Sequence, residues 1–214
     1  QSAGSSGEYY TPRAVTQFMV DIINPQLKET ILDPACGTGG FLTCAIDHKK
    51  ALVQTNKDER DLQTTIRGIE KKPLPHLLCT TNLMLHGFDV PAVRRDNMLS
   101  KPYADWGATD KERCNLHTIV RLPNGVFNPY TGIKTNVLFF DKGRPTKDVW
   151  YFEHPYPASV KSYNKGKPIH IKEFDLEKAW WNNREDEKYS QHAWKVSAEE
   201  IKGRGYNLDI KNPH

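Results

Sequence analysis

The chain has 214 residues, 37% of them apolar and 26% charged, which suits one α/β domain with an appendage. Mean hydropathy is −0.68, and no apolar run approaches the roughly 18 residues of a membrane span, so we expect no membrane partner. The net charge of +4 permits a nucleic-acid partner without arguing for one. The four cysteines include no Cys-x-x-Cys pair, which predicts no metal site and reduced thiols in a cytoplasmic protein.

The first elements predicted along the chain are a helix and a strand. A loop-like opening starts at Gln1 rather than Met, and we expect a piece of a longer polypeptide. Apolar residues at helical spacing then predict a helix over residues 11–23, with Thr11 as N-cap and Asn24-Pro25 as its end. A strand over residues 30–33 follows.

A glycine-dense turn follows this strand, with the sequence Asp-Pro-Ala-Cys-Gly-Thr-Gly-Gly-Phe from Asp33. Gly37, Gly39 and Gly40 have no Cβ to clash with a ligand, and glycine tolerates positive φ. A helix predicted over residues 41–50 would point its first N–H groups at that ligand. The turn resembles the S-adenosylmethionine (SAM) loop of amino-methylating DNA methyltransferases.

Two further strands complete a β-α-β-α-β pattern. Residues 53–63 are polar and predict a loop with helical character. A strand over 64–70, a helix over 73–86 and a short strand over 93–99 follow. Such alternation predicts a parallel sheet with helices on its faces.

Acidic residues stand at the ends of both later strands. Glu70 follows Asp33 by 37 residues, and in dinucleotide-binding folds such an acid accepts hydrogen bonds from ribose hydroxyls. The alternative is a solvated glutamate beside Lys71 and Lys72. Asp96 can accept from the amino group of adenine, or it can be a turn residue after a strand.

Two aromatic-containing segments are weaker candidates. The corner ending in Tyr10-Thr11-Pro12 can lay a ring and a hydroxyl against a ligand on the first strand, or it can simply cap the helix. Phe127 and Tyr130 lie in a turn-rich loop and predict either stacking on an extruded base or a hydrophobic plug under the loop.

The second half of the chain is β-rich and then irregular. Residues 116–122 and 134–140 predict an antiparallel pair, and residues 149–153 predict one more strand. Residues 145–214 predict an irregular C-terminal extension with one helical stretch near 174–181.

Taken in order, these motifs resemble the modification (methyltransferase) subunit of type I restriction–modification systems. The resemblance covers almost the whole chain. The residues that carry it are Gly7–Arg13, Asp33–Leu42, Gly68–Glu70, Thr81–Gly87, Asp96–Leu99, Leu122–Phe127, Thr131–Phe140 and Tyr206–Asp209.

The resemblance implies a Rossmann-like, SAM-dependent methyltransferase fold of the α/β class: a mostly parallel sheet with an antiparallel strand pair at one end and residues 1–144 as the core. It implies adenine-N6 methylation of double-stranded DNA, in a cytoplasmic complex with a specificity subunit and a restriction subunit. The ribose of SAM falls to Glu70 and its adenine to Asp96. The cofactor residues implied are Tyr10, Thr11, Asp33, Ala35, Gly37, Thr38, Gly39, Gly40, Phe41, Glu70 and Asp96.

The chain departs from the family because it lacks the catalytic tetrapeptide, which is Asn-Pro-Pro-Phe or a close variant. We therefore predict no catalytic residue in this sequence. None of its three Asn-Pro pairs is followed by Pro-Phe. In the family, the Asn side chain and a Pro carbonyl accept the two hydrogens of the adenine amine and favour its attack on the methyl sulfonium. We expect two βα units, roughly 50–80 residues, to be missing between Arg113 and Cys114. The family's N-terminal helical domain is missing too.

Two other functions fit the same residues. A catalytically inactive scaffold that binds the specificity subunit is favoured by the absent tetrapeptide. The other alternative is a SAM-dependent methyltransferase that acts on RNA or protein. Resemblance to the strand pair and the C-terminal region of the type I subunit argues against this last reading.

Overall fold

A computed structural model describes residues 10–97, 114–158 and 160–214, without the side chain of Cys114. The chain divides into two compact units, Gln1–Asp105 and Trp106–His214. Several predictions lie outside the described residues: the start of the Tyr-Thr-Pro corner, the end of the third strand, and the peptide bond between Arg113 and Cys114.

The first unit is built on a three-stranded parallel sheet in the order β1-β2-β3, which confirms the predicted β-α-β-α-β pattern. Asp33 lies level with Gly68, and Glu70 lies level with Arg95, so the carboxyl ends of the strands share one edge. The elements are α1 (Arg13–Ile23), β1 (Ile31–Asp33), α2 (Gly40–Lys50), α3 (Asn56–Thr65), β2 (Ile66–Glu70), α4 (Pro73–Leu85) and β3 (Ala92–Arg95).

The core of this unit lies between the sheet and helices α2, α3 and α4. Leu42, Ile46, Leu62 and Leu83 are almost fully buried there together. Lys49 is also buried, and it is tolerated because its Nζ donates to the carbonyl of Glu29 and to the hydroxyl of Thr65.

Two local predictions for this unit are corrected. Helix α1 begins at Arg13, and Thr11 is not its N-cap, because Pro12 has an extended ψ of 139° and takes that position without a side-chain cap. The predicted loop with helical character over residues 53–63 is a regular helix from Asn56 onward, because Thr55 and Asp58 form a reciprocal capping box that starts α3.

The second unit contains a four-stranded sheet in the order β5-β4-β6-β7. The predicted antiparallel pairing of β4 with β5 is confirmed, as is the strand β6. The elements are β4 (Cys114–Leu122), β5 (Thr135–Lys142), β6 (Asp148–Glu153), a 3₁₀ turn (Ile171–Phe174), α5 (Asp175–Trp181), a second 3₁₀ turn (Glu187–Tyr189), β7 (Ala193–Ser197) and α6 (Ala198–Gly203).

The predicted irregular extension over residues 145–214 is corrected by this sheet. Strand β6 pairs in parallel with β4, and β7 pairs antiparallel with β6, so the expected boundary at residue 144 falls inside one sheet. Packing explains the pairing, because Tyr151 stacks on Trp194 with ring centroids 5.3 Å apart and Phe152 contacts Trp180 at 4.9 Å. No helix in the described parts of the chain is long and apolar enough to cross a membrane.

Candidate cofactor site

A cavity of about 310 Å³ opens in the first unit where β1 and β2 end and α2 begins. In open α/β sheets, ligands bind at this carboxyl edge of the strands. The lining residues are Tyr10, Thr11, Thr16, Asp33, Ala35, Cys36, Gly37, Thr38, Gly40, Phe41, Glu70, Lys72 and Pro75.

Nine of the eleven cofactor residues predicted from the sequence lie around this cavity, and Gly39 and Asp96 do not. Sequence reasoning missed Thr16, Cys36, Lys72 and Pro75. Thr16 and Pro75 lie on the first turns of α1 and α4, and Lys72 lies two residues after β2, so only their position in the fold identifies them.

The glycine turn is held open by hydrogen bonds of its own backbone. Gly37 has a φ of +54°, and its N–H donates to Oε2 of Glu70 at 3.0 Å. Gly39 has a φ of +88°, and its N–H donates to the carbonyl of Cys36 at 2.8 Å. A Cβ on Gly39 would lie 2.8 Å from Sγ of Cys79, so close packing on α4 requires glycine there.

Glu70 joins the two loops that follow β1 and β2. Its Oε2 accepts from Gly37 N–H, and its Oε1 accepts from Lys72 N–H at 2.7 Å. A carboxylate has about four acceptor sites, so Glu70 keeps lone pairs that can accept hydrogen bonds from a ligand.

Asp33 adds a second carboxylate at the end of β1. Its Oδ1 accepts from Ala35 N–H at 3.1 Å. Burial raises the pKa of Asp33, the hydrogen bond from Ala35 opposes that rise, and the charge of Glu70 adds to it. Two acids on one small cavity disfavour a phosphate ligand and favour one with hydroxyls or positive charge.

Asp96 lies just beyond β3, next to the strand that carries Glu70. Its N–H donates to the carbonyl of Glu70 at 3.1 Å. Its carboxylate pairs with Arg94 at 3.1 Å and accepts from Asn97 N–H at 2.8 Å. The contact with adenine stays a prediction, in which the remaining lone pairs of this carboxylate would accept from the adenine amino group.

Phe127 and Tyr130 lie in the second unit, on the turns between β4 and β5. Phe127 is half-buried and Tyr130 is 42% exposed. The neighbouring Asn128 ties this loop down, since its Nδ2 donates to the carbonyl of Tyr163 at 2.9 Å. Contact of these rings with a DNA base stays a prediction. Within the described residues, no group of three or more His, Cys, Asp or Glu could hold a metal ion.

Replacing Asp33 by Asn is expected to stabilise the free protein at neutral pH while weakening ligand binding. The folded pKa of Asp33 lies above its unfolded value, so its contribution to stability is fully present below about pH 4 and is lost as the pH rises. The urea midpoint of Asp33→Asn should therefore exceed that of the wild type by an amount that grows between pH 4 and 7. The matched change Asp89→Asn, at an exposed position, should leave the midpoint unchanged. Greater stability of the wild type at pH 7 would contradict this explanation.

The parallel sheet, the glycine turn after β1 and the acid that ends β2 define a Rossmann-like α/β protein with a cavity at the carboxyl edge of its strands. The family model described as N-6 DNA Methylase matches the chain in two segments, residues 1–112 and 109–214. The chain belongs to this family of N-6 DNA methylases.

Its relatives include modification subunits of type I restriction enzymes. The chain is 47% identical over 290 residues to the EcoEI methylase subunit of Escherichia coli, covering all of this chain and 59% of that protein. A crystal structure of a modification subunit of a putative type I restriction enzyme from Vibrio vulnificus YJ016 has 36% identity and a TM-score of 0.87. The match covers 99% of this chain and 61% of the Vibrio vulnificus chain. A chain from a study of the complex assembly of a type I restriction–modification system has 31% identity and a TM-score of 0.85. The match covers 95% of this chain and 58% of that chain.

These likenesses give the chain the SAM-dependent methyltransferase fold of type I modification subunits. The relatives are also longer than this chain, which spans about 60% of their length. The EcoEI alignment runs over 290 positions and the chain has 214 residues, so 76 positions of that relative have no counterpart here. The two segments matched by the family model meet at residues 109–112.

Proposed function

We propose that the whole protein methylates adenine N6 in double-stranded DNA with SAM as donor, as the modification subunit of a type I restriction–modification complex. The observation that carries the proposal is the acidic cavity in the first unit, bounded by the glycine turn and by Glu70. Family membership supports the reaction, and the EcoEI relative supports the type of complex.

The cavity suits SAM in size, charge and hydrogen bonding. About 310 Å³ falls at the small end of the range for ligand pockets. When bound, SAM supplies an electrophilic methyl group on a positively charged sulfonium. The charges of Asp33 and Glu70 favour a cationic ligand, and Glu70 has free lone pairs for ribose hydroxyls. Tyr10 and Phe41 offer aromatic faces on the same cavity.

The chain's own residues account for binding rather than for the chemistry. We propose that a catalytic segment, with the tetrapeptide in it, stands between Arg113 and Cys114 in the natural protein. The 76 unmatched positions of the EcoEI relative support this, as does the junction of the two family matches near residue 112.

Among the described residues, each sheet also ends in an edge strand that carries exposed apolar side chains. Strand β1 ends the first sheet, and its Leu32 is 49% exposed. Strand β5 ends the second sheet, with Phe140 61% exposed and Leu138 47% exposed. Unpaired apolar edges are normally covered. Additional strands from the proposed segment could therefore pair with β1 or with β5.

Peptide mapping tests the proposed segment. Digestion with a glutamyl endopeptidase cuts after Glu112, and a peptide beginning Arg113-Cys114-Asn115 would show that the two residues are joined directly. The proposal predicts that this peptide is absent. It also predicts peptides from an intervening segment that contains Asn-Pro-Pro-Phe or a close variant.

The proposed partners are double-stranded DNA, a specificity subunit that reads the target sequence, and a restriction subunit. One structural relative comes from a study of the assembly of a type I restriction–modification system, which supports a multisubunit complex. The proposed location of such a DNA-modifying subunit is the cytoplasm.

Because the specificity subunit would read the target sequence, the protein should be assayed together with it.

Methyl transfer from radiolabelled SAM tests the function. The whole protein, with its specificity subunit, should place label in N6-methyladenine when unmethylated DNA is digested to nucleosides. SAM binding without transfer, in a protein of verified full length, would favour the inactive scaffold instead. Label in RNA or protein but not in DNA would overturn the proposed substrate.

A further inference from the structure

Helix α4 forms the platform on which the glycine turn rests. Cys79 and Leu83, one turn apart on α4, are both fully buried. An ideal Cβ on Gly39 would meet Cys79 Sγ at 2.8 Å and Leu83 Cδ1 at 3.4 Å, so the turn lies directly against this face. Asn82, which lies between Cys79 and Leu83 in sequence, makes a polar contact with the turn.

Asn82 fixes one particular peptide group of the turn. Its Nδ2 donates to the carbonyl of Thr38 at 2.8 Å, across 44 residues of sequence. The N–H of the same peptide belongs to Gly39 and donates to the carbonyl of Cys36 at 2.8 Å. Both ends of the Thr38–Gly39 peptide are therefore held, and the plane of the peptide cannot rotate freely.

This peptide decides what the cavity presents to a ligand. Thr38 and Gly40, on either side of the held position, line the cavity, whereas Gly39 packs away from it. The carbonyl of Gly39 accepts from Thr43 N–H at 2.9 Å, which starts α2. The first N–H groups of a helix have no acceptor within the helix, so their direction depends on how the turn enters α2.

We infer that Asn82 is a positioning residue for the cofactor, holding the Thr38–Gly39 peptide so that the turn and the start of α2 face the ligand. This inference rests on the proposed function, since it assumes that SAM occupies the cavity. Asn82 itself does not line the cavity. It acts through the backbone of the turn.

Three variants of the whole protein separate positioning from packing. Asn82→Ala removes the donor and the volume. Asn82→Asp keeps the shape but cannot donate to a carbonyl. Thr81→Ala is the matched control, because Thr81 is an exposed neighbour on the same helix whose hydroxyl donates within α4, to Leu77.

Three readouts are needed, two with SAM and one without. By calorimetry, Asn82→Ala and Asn82→Asp should each bind SAM about tenfold more weakly, which corresponds to the loss of one hydrogen bond. In a methylation assay both should raise the KM for SAM and largely keep kcat. In the free protein, the Gly39 amide should exchange its hydrogen about tenfold faster in both variants. Thr81→Ala should match the wild type throughout.

The possible failures are distinguishable. Wild-type protein that does not bind SAM overturns the proposed function and, with it, the cofactor-positioning role of Asn82. The exchange rate of Gly39 then decides only whether Asn82 holds the Thr38–Gly39 peptide. Binding by the wild type with unchanged affinity in both Asn82 variants overturns the inference and leaves the function standing. Wild-type affinity in Asn82→Asp alone would show a packing role, and an equal loss in Thr81→Ala would show a general effect of the helix.

Discussion

Glu70→Ala is expected to lower the affinity for SAM about a hundredfold. The Glu70 carboxylate holds the N–H groups of Gly37 and Lys72 and also lines the cavity, so its removal disorders two loops and deletes a ligand acceptor at once. Hydrogen bonds to a charged group contribute about 1.5–3 kcal/mol each, and a hundredfold corresponds to about 2.7 kcal/mol. Calorimetric titration with SAM measures the effect.

Two companion variants sharpen this test. Glu70→Gln keeps one carbonyl oxygen that can accept from a loop N–H, but its amide NH2 donor faces the other loop N–H, so we expect an intermediate loss of about tenfold. Glu59→Ala removes an exposed glutamate from α3 and should leave the affinity unchanged. An affinity of Glu70→Ala equal to that of Glu59→Ala would show that Glu70 does not shape the site.

Gly125→Ala is expected to destabilise the second unit by at least about 3 kcal/mol. Gly125 has a φ of +83°, which alone costs an alanine about 1–2 kcal/mol. A Cβ there would also overlap the backbone carbonyl of Tyr163, and it would lie 2.9 Å from Nδ2 of Asn128. Tyr163 is only 1% exposed, so this backbone cannot move away without disturbing the core.

Gly132→Ala is the matched control for this prediction. It lies on the same connection between β4 and β5, but its nearest neighbour, Oδ1 of Asn128, would be 3.9 Å from the new Cβ. We expect a change within about 0.5 kcal/mol. Urea unfolding followed by tryptophan fluorescence reports on the second unit, which contains Trp150, Trp180, Trp181 and Trp194. Similar midpoints for the two variants would contradict the steric explanation.

The cavity could be predicted from the sequence because its parts are local. A strand that ends in Asp33 must deliver the glycine turn to the carboxyl edge of a parallel sheet, and Glu70 reaches the same edge from the next strand. The side chain of Asp96 could not be placed this way, because its direction depends on the ion pair with Arg94. The periodicity of a sequence does not show which charged side chains at the end of a strand form an ion pair.

The second sheet was predicted only where its pairing is local. The antiparallel partners β4 and β5 are neighbours in sequence, with turn residues between them. Strand β6 pairs in parallel with β4, although β5 lies between them in sequence. Strand β7 pairs with β6 from about 40 residues further along the chain. These pairings depend on aromatic packing, such as Tyr151 on Trp194, that a sequence rich in Lys, Asn and Pro conceals.

Photolabelling of the whole protein with radiolabelled SAM tests the central claim, that the first unit binds this cofactor, most directly. After irradiation and digestion, we predict label in the peptides that line the cavity, over residues 10–16, 33–41 and 70–75. Excess unlabelled S-adenosylhomocysteine should abolish it. Label confined to residues 114–214, or label that the competitor does not displace, would contradict the claim.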